Sequence, residues 1–247
     1  WCPYVCDPAY DKLARRGYMV DLLESIFRES AYNIKVIMLP YNQSIDMANR
    51  GEIDGIIGTL PLDAPTLIYP RLEIGLGSDV FVTRSDSNWR YKDPQSLSTI
   101  RLGMVEAYEY ETLKEYKQAN KNTEQLQIVG DGDSVNTTLR NINKLFNNEI
   151  DAILDNTAVI KFTSAVHQLP ALRSAGTLEQ PYALWLALSP ESPHWQSACR
   201  LHNQKITALR KSGALSFILR RYGLEDWYQQ DADFSYQIDK ASTRRCD

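Results

Sequence analysis

The sequence predicts an α/β protein built from two similar lobes, and three observations support this prediction. The motif Glu-Ile-Asp-small-Ile-aliphatic occurs twice, in RGEIDGIIG from Arg50 and in NNEIDAILD from Asn147. Each copy follows a stretch of helical periodicity, and each is apolar enough to be a buried strand. Two extended runs, GSDVFVT from Gly77 and YALWLALSP from Tyr182, are typical of crossings between two lobes.

The first lobe is predicted from the residues up to the first motif. GYMVDLLESIFRES from Gly17 has an apolar helical face, with acids and an arginine opposite. IKVIMLP, which ends at Pro40, is β-branched and short, so it is predicted to be a strand. QSIDMANR is a polar helix closed by Gly51, and IDGIIG is the next strand. This order favours a parallel sheet covered by helices on both faces.

The same order of elements then returns. The segments IRLGMV, LQIV and IDAILD are predicted strands, separated by the helices YEYETLKEYKQA and DSVNTTLRNINKLF, the latter with Asp133 or Ser134 as N-cap. The repeated motif is therefore the third strand of both lobes. We predict two Rossmann-like lobes with parallel-rich sheets joined by a two-strand hinge. Lobe 1 spans 1–85, lobe 2 spans 86–185, and 186–247 returns to lobe 1 through helices broken near Gly213.

Composition excludes several functional classes. The chain of 247 residues is 43% hydrophobic and 23% charged, as is typical of a globular protein. No apolar run approaches the roughly 20 residues that span a bilayer. The net charge of -4 and the absence of a basic cluster argue against nucleic acid binding. The sequence has no nucleophile elbow, phosphate loop or full dinucleotide-binding glycine pattern, so we expect neither catalysis nor a cofactor.

The four cysteines lie near the two ends, at Cys2, Cys6, Cys199 and Cys246. An even number suits two disulfides in an oxidising compartment, although four reduced thiols fit the spacing nearly as well. An extended Cys2–Cys6 segment would separate the two Cα atoms by about 13 Å at ~3.3 Å per residue. That exceeds the roughly 7 Å limit for a disulfide. The spacing is also unusual for zinc, and we expect no metal site.

In an open α/β sheet, ligands bind beyond the carboxyl ends of the strands. The relevant loops are 4–7 and 58–63 in lobe 1, and 106–110 and 155–157 in lobe 2. The candidate ligand-binding residues on them are Tyr4, Asp7, Thr59, Asp63, Glu106, Tyr108, Tyr110 and Asp155. Half-buried tyrosines and turn or helix caps are the structural alternatives. Asp54 and Asp151 start strands at the far ends, so we expect their repetition to be structural.

The sequence resembles the type 2 periplasmic solute-binding proteins that bind polar amino acids, over nearly its whole length. The segments that carry the resemblance are Trp1-Cys2-Pro3-Tyr4, GYMVDLL, RGEIDGIIGT, IRLGMVEAYEY, NNEIDAILD, YALWLALSP and LRKSGALSFILRRYG. The resemblance implies two lobes that close on a small ligand in an interlobe cleft, with hinges near 84–87 and 184–188. It also implies a monomeric periplasmic protein that serves a membrane transporter permease, here an ABC transporter, or a receptor signalling module.

The resemblance further implies roles for particular residues. Tyr41 matches an aromatic residue that stacks on the ligand, and Asp155 matches the acid that holds a ligand ammonium. The family's Pro-containing loop would bring the first two cysteines together, so we predict the disulfides Cys2–Cys6 and Cys199–Cys246.

Two departures from the family pattern matter. The arginine that clamps a ligand carboxylate is replaced by Asp63, unless Arg71 or Arg84 takes its place. We therefore expect a ligand that brings positive charge, an amine-bearing metabolite. The sequence also starts at the Trp1–Tyr4 loop, so we expect the family's first strand to be truncated, displaced or outside the given sequence. A sensory domain of a receptor and a cyclohexadienyl dehydratase-like enzyme are the alternative functions, since fold alone does not decide among them.

Overall fold

The computed structural model describes residues 1–9, 13–106, 108, 110–130, 137–230 and 244–246. The chain forms two compact units. The continuous unit comprises Gly77–Pro181 together with Trp1, and the discontinuous unit comprises Cys2–Leu76 and Tyr182–Asp247. The chain thus passes between units near 76–77 and near 181–182. The lobe boundaries predicted from the sequence lie at 85–86 and 185–186.

Helices and strands alternate between Leu102 and Thr177, and before and after that stretch most of them come in runs of two or more. The helices are α1 (Tyr18–Phe27), α2 (Tyr41–Asn49), α3 (Lys114–Asn120), α4 (Thr137–Phe146), α5 (Thr157–Val166), α6 (Trp195–Lys211), α7 (Ala214–Arg220) and α8 (Trp227–Gln230). The strands are β1 (Gly55–Thr59), β2 (Ile68–Tyr69), β3 (Gly75–Gly77), β4 (Asp79–Arg84), β5 (Leu102–Val105), β6 (Leu126–Val129), β7 (Ala152–Asn156), β8 (Leu172–Thr177), β9 (Tyr182–Leu188) and β10 (Arg244–Arg245).

The continuous unit contains a five-stranded sheet in the order β6-β5-β7-β4-β8. β5 pairs in parallel with β6 and with β7, and α3 and α4 make the two crossovers, as the sequence predicts. β4 runs antiparallel to both β7 and β8. Side chains of β4 alternate between two cores: Phe81 packs with Leu102 and Leu154, and Val80 and Val82 pack in a second cluster.

The sheet of the discontinuous unit has the order β1-β9-β2-β10, with β3 also pairing with β9. β1 and β2 are antiparallel to β9, and β10 pairs in parallel with β2. The sheet is therefore less parallel than the sequence predicts, because the returning strand β9 takes its centre. Trp185 of β9 is fully buried and packs with Ile56 and Leu67 in the core of this unit.

The two copies of the repeated motif form β1 and β7, as predicted. In each unit this strand pairs antiparallel with the strand by which the chain enters the unit, β9 or β4. The motif aspartates are structural, also as predicted. Asp151 accepts two bonds from the Arg101 guanidinium, of 2.9 and 3.0 Å, and one from the Arg101 N–H. Asp54 accepts a 2.6 Å hydrogen bond from the Ser192 hydroxyl.

The prediction of a strand at Ile34–Pro40 is wrong. Residues 33–39 carry no strand or helix, and they form no backbone–backbone hydrogen bond within the described part of the chain. Ile37 and Met38 are 46% and 53% exposed. The segment has the composition of a strand, but a strand needs a hydrogen-bonded neighbour and here it has none.

The remaining helices agree with the sequence. The apolar residues of α1 are buried, Gly51 follows α2 at φ 71°, and Gly213 separates α6 from α7 at φ 78°. Both glycines occupy the left-handed region that ends helices. Asp133 and Ser134, the predicted caps of α4, lie outside the described residues. None of the helices that the structure describes is both long and apolar enough to cross a membrane.

The two predicted disulfides, Cys2–Cys6 and Cys199–Cys246, are present. The first joins Cα atoms 4.8 Å apart, because the Cys2–Cys6 segment forms a tight turn instead of an extended strand. The second joins α6 to the residue after β10, and the Cys246 N–H donates to the Tyr69 carbonyl. β10 is therefore held in the sheet both covalently and by hydrogen bonds.

We predict that the two disulfides contribute unequally to stability. Their sequence separations are 4 and 47 residues. A crosslink that closes a longer loop removes more entropy from the unfolded chain, so we expect losses of about 2 kcal/mol for Cys2→Ala/Cys6→Ala and about 4 kcal/mol for Cys199→Ala/Cys246→Ala. Urea unfolding of both double variants measures the difference. Equal losses would contradict the loop-length argument.

A second prediction concerns His202 on α6. Its side chain is fully buried, and neither ring nitrogen has a hydrogen-bond partner among the described residues. Burial lowers the pKa of the imidazole to about 4. Below the ordinary pKa of about 6.5 the unfolded chain binds a proton that the folded protein rejects, so stability falls as the pH drops towards 4.

From pH 7 to pH 5, protonation of this imidazole in the unfolded chain should lower the free energy of unfolding by about 2 kcal/mol. We expect His202→Leu to remove that part of the pH dependence in urea unfolding. His167→Gln, at an exposed position, is the matched control and should leave the pH dependence unchanged. An unaltered pH dependence in His202→Leu would show that other groups control the acid response.

Candidate functional site

The predicted site residues fall into both units, and in each unit some of them are brought together. Tyr41, Thr59 and Asp63 form one cluster in the discontinuous unit, and Tyr69 joins them. Asp155 lies in the continuous unit, as do Glu106, Tyr108 and Tyr110. The two groups are described in turn.

The Tyr41–Asp63 cluster is assembled by the end of β1 and the start of α2. Asp63 lies in a turn after β1 whose N–H groups at Asp63 and Ala64 donate to the Leu60 carbonyl. The Tyr41 hydroxyl donates to Asp63 Oδ2 over 2.9 Å. Partial burial and the Asp63 carboxylate raise the pKa of the Tyr41 phenol well above its ordinary value. The phenol therefore stays a neutral hydrogen-bond donor to Asp63.

Two further groups complete this cluster. The Thr59 side chain is fully buried, and its hydroxyl oxygen has no hydrogen-bond partner among the described residues. The Tyr69 hydroxyl donates to the Ala64 carbonyl over 2.8 Å and so fixes the turn that carries Asp63. Tyr69 was not predicted; its place in the short strand-like segment LIYP gave no sign of this role. Tyr41 is 41% exposed, so the cluster is open to solvent on one side.

Asp155 lies near the carboxyl end of β7, opposite Val80 of β4, and its side chain is fully buried. The Thr138 hydroxyl donates to Oδ2 over 2.6 Å, and the Asn156 N–H donates to Oδ1 over 2.7 Å. Burial raises the pKa of the Asp155 carboxyl to about 7, although these two bonds work in the opposite direction, and the nearby Asp79 raises it further. Near neutral pH the group is thus poised between its two protonation states.

Thr138 was missed by the sequence reasoning. It lies on the buried face of α4, one turn before Asn141 and Ile142 and two turns before Leu145. The sequence did contain a signal for Thr138, because it is a polar residue at a position where the helical pattern predicts a core residue. A buried hydroxyl needs a hydrogen-bond partner, so such a residue indicates a polar group nearby. α4 thus positions the donor, and β7 positions the acid.

The other residues of the continuous unit differ in exposure. Glu106 follows β5 and is exposed, and a side chain at Gly130 would collide with its Cβ atom and its carboxylate. Tyr110 is buried in the core beside Leu113. Tyr108 packs against that core, with its ring 6.3 Å from that of Tyr110 and nearly perpendicular to it. The structure does not bring Glu106 into a hydrogen bond with Asp155.

Tyr4 and Asp7 have structural partners. Tyr4 is buried, its hydroxyl donates to the Leu76 carbonyl over 2.9 Å, and its ring lies 5.5 Å from that of Tyr18. Asp7 accepts a 2.9 Å hydrogen bond from the Ala9 N–H, as a turn-capping aspartate does. Their ligand contacts remain predictions.

The two arginines considered as carboxylate clamps also differ. Arg84 donates to the Leu145 carbonyl over 2.9 Å and pairs with Asp86, so its guanidinium is engaged within the continuous unit. Arg71 is exposed, and its backbone N–H donates to Asn203 Oδ1. Within the described ranges, no group of three or more His, Cys, Asp or Glu side chains is arranged to hold a metal ion.

Comparison with known proteins places the fold. No protein-family model and no curated protein matches the sequence. Among solved structures, the P235GK mutant of ArgBP from T. maritima is similar with a TM-score of 0.66 at 17% identity, covering 90% of each chain. A histidine kinase sensor domain with similarity to periplasmic binding proteins has a TM-score of 0.65 at 14% identity, covering 92% of this chain and 94% of that one.

A third structure is the arginine-, lysine-, histidine-binding protein ArtJ from Geobacillus stearothermophilus, with a TM-score of 0.61 at 15% identity, covering 87% of this chain and 89% of that one. Identities this low establish the fold and leave the ligand open. With its two α/β units, each containing a mixed sheet, the chain has the fold of the periplasmic solute-binding proteins.

Proposed function

We propose that this protein is an extracytoplasmic solute-binding protein that captures a small amine-bearing, amino acid-like metabolite for an ABC transporter. The observation that carries the proposal is the buried Asp155 carboxyl, whose hydrogen-bond donors are a neutral hydroxyl and a backbone N–H. A buried acid is a costly feature for a purely structural position. A ligand ammonium would offset that cost by pairing with the ionised form.

The Tyr41–Asp63 cluster supports the same ligand chemistry. It offers a surface carboxylate, an aromatic ring beside it, and a buried Thr59 hydroxyl that lacks a partner. A carboxylate and a ring face together suit an ammonium or guanidinium group. The position where the family has an arginine is Asp63, and Arg84 is engaged elsewhere, so nothing in these contacts favours a purely anionic ligand.

The name of one similar structure agrees with a cationic ligand. ArtJ is described as binding arginine, lysine and histidine, the three basic amino acids. The two disulfides suit an oxidising compartment, and periplasmic localisation is part of the proposal.

We propose binding without catalysis. Complete recovery of an added ligand after heat denaturation of the complex is expected, whereas consumption of prephenate or arogenate would favour an enzyme.

A sensory role is the second candidate function, because a histidine kinase sensor domain is among the similar structures. Both roles begin with binding the same ligand, so binding data alone do not separate them. Expression of the complete gene and fractionation of the cells would do so. A soluble extracytoplasmic product that restores uptake together with a permease supports transport, and a product anchored in the membrane supports sensing.

We predict that ligand affinity rises with pH as Asp155 ionises. The pKa of about 7 means that most of the ligand-free protein carries a neutral carboxyl at pH 5.5. If an ammonium pairs with the ionised form, affinity should increase about tenfold per pH unit up to pH 7 and then level off. Calorimetry with L-arginine, L-lysine and putrescine between pH 5.5 and pH 8.5 measures this slope.

Asp155→Asn is the matched variant for that experiment. It keeps an acceptor for Thr138 and removes the charge, so affinity at pH 8 should fall about ten- to a hundredfold and the pH slope should vanish. The ligand-free variant should be more stable than wild type at pH 8, because no buried carboxyl has to ionise. Tight binding of an anionic ligand, unchanged in Asp155→Asn, would refute the proposal.

A separate prediction concerns Asp63. It is exposed, so its attraction to a cation is screened by solvent and salt. We expect Asp63→Asn to lower affinity for the same three probes about three- to tenfold at 20 mM salt, and less at 500 mM salt. Glu52→Gln, an exposed acid in the same unit, is the control and should leave affinity unchanged. If the loss of affinity in Asp63→Asn did not depend on salt, it would contradict an electrostatic attraction between an exposed Asp63 and the ligand.

A further inference from the structure

The discontinuous unit contains a cavity where β10, the start of β2 and the start of α6 come together. Its volume is about 440 Å³, within the range of sites that take small molecules. The residues that line it are Ile68, Pro190, Glu191, Trp195, Arg244 and Arg245. None of them belongs to the ligand-binding residues predicted from the sequence.

The cavity and the Tyr41–Asp63 cluster lie at opposite ends of β1. The cluster lies at the Thr59 end, which pairs with the start of β9, whereas the Gly55 end pairs with Leu188. Ile68, which lines the cavity, pairs with the same Leu188. Since β1 spans five residues, about 13 Å of strand separates the two ends at ~3.3 Å per residue. The two sites are therefore separate.

Arg244 brings a positive charge to this cavity. It lies opposite Ile68 in the pairing of β10 with β2. Two residues later, and so on the same face of the strand, Cys246 is bonded to Cys199 of α6. Arg244 therefore lies on the face of the sheet that α6 covers. It forms no ion pair with any residue in the described ranges.

The two other charged residues of the cavity differ in their contacts. The Arg245 guanidinium lies 4.9 Å from the centroid of the Trp185 ring, so a cation–π contact already holds it. Glu191 is exposed, and among the described residues its carboxylate pairs with neither arginine. The cavity thus presents a cation, Arg244, and an acid, Glu191, that do not neutralise each other.

The rest of the wall is apolar and is held in place. Trp195 is the first residue of α6, and Ile68 and Pro190 are the other apolar residues of the wall. The turn before α6 is fixed by Ser192, which is buried and whose hydroxyl donates to Asp54 Oδ1 over 2.6 Å. The disulfide that follows β10 fixes the opposite side. A wall that is ordered in advance lowers the entropic cost of binding.

We propose that this cavity is a second ligand site, which binds the zwitterion of an apolar or aromatic α-amino acid. The carboxylate of the ligand pairs with Arg244, its ammonium group pairs with Glu191, and its side chain packs against Trp195. A molecule that carries only one of the two charges leaves one of these residues unpaired and binds more weakly. The inference does not depend on the proposed function, because the two sites share no residue.

The test uses the full chain labelled with fluorotryptophan and follows the fluorine resonances by NMR. The chain has five tryptophans, and the resonance of Trp195 is the one that is absent from Trp195→Phe. We expect L-phenylalanine to shift this resonance and to saturate it at about 20 mM, as a dissociation constant on the order of 1 mM implies. Phenylacetate lacks the ammonium group and phenethylamine lacks the carboxylate, so each should bind about two- to fivefold more weakly.

Two variants assign the charges of the ligand to the two residues. Arg244→Gln should abolish the preference for L-phenylalanine over phenethylamine, because the carboxylate no longer has a partner. Glu191→Gln should abolish the preference over phenylacetate, because the ammonium group no longer has one. Arg90→Gln, which changes an exposed arginine of the continuous unit, is the matched control and should keep both preferences.

Three results would overturn the second site: no response of the Trp195 resonance to L-phenylalanine, equal binding of the three probes, or preferences that survive both substitutions. The response should be the same in Asp155→Asn, and its loss there would show that it arises at the other candidate site. Failure of the second site is thereby distinguished from failure of the proposed function. If Arg244→Gln does not fold, as judged by circular dichroism, Glu191→Gln carries the test. Loss of the preference over phenylacetate then supports the site, and an unchanged preference overturns it.

Discussion

Both sheets depend on the antiparallel pairing between a Glu-Ile-Asp strand and the strand by which the chain enters the unit. β9 holds β1 on one side and β2 on the other, and β4 does the same for β7 and β8. This pairing also places the candidate site residues, because Thr59 and Asn156 end the two motif strands and Asp155 directly precedes the second end. Two strand pairings between residues far apart in the sequence therefore position both the hydrophobic cores and the clusters of polar groups.

In the proposed function, stability and ligand binding oppose one another at Asp155. The three residues before it in β7 are apolar and buried, and an apolar residue in its place would fit that pattern. The chain instead buries a carboxyl whose pKa rises to about 7 and supplies Thr138 as a donor. Acids with perturbed pKa values cluster at functional sites, and a partner that brings opposite charge would offset the free energy that burial costs.

Local sequence patterns predicted most of the fold, because helical periodicity and short apolar runs depend on near neighbours. The repeated motif, the helix break at Gly213 and the structural aspartates followed from such patterns, whereas both disulfides were predicted from the resemblance to a family. Strand pairing could not be predicted in the same way. Nothing in GIIGT shows that its partner is β9, more than a hundred residues later and antiparallel. The strand predicted at Ile34–Pro40 failed for the same reason, since pairing is not a local property.

The site was less predictable than the fold, because a tyrosine that packs in a core and one that faces a ligand have the same local sequence. Tyr4 and Tyr110 are buried, whereas Tyr41 is partly exposed, and only packing distinguishes them. Thr138 and Tyr69 were missed because each acts through another group, the first by donating to Asp155 and the second by fixing the turn of Asp63. Residues that orient a functional group are set by tertiary contacts, which a single sequence does not show.

The Tyr41–Asp63 cluster joins two segments of the discontinuous unit. Residues 33–39 lead through Pro40 into Tyr41, and β1 ends at Thr59, four residues before Asp63. The hydrogen bond from the Tyr41 hydroxyl to Asp63 Oδ2, and the turn that the Tyr69 hydroxyl fixes, hold the ring and the carboxylate beside one another. A ligand that contacted both groups would meet a site that is ordered in advance, which lowers the entropic cost of binding.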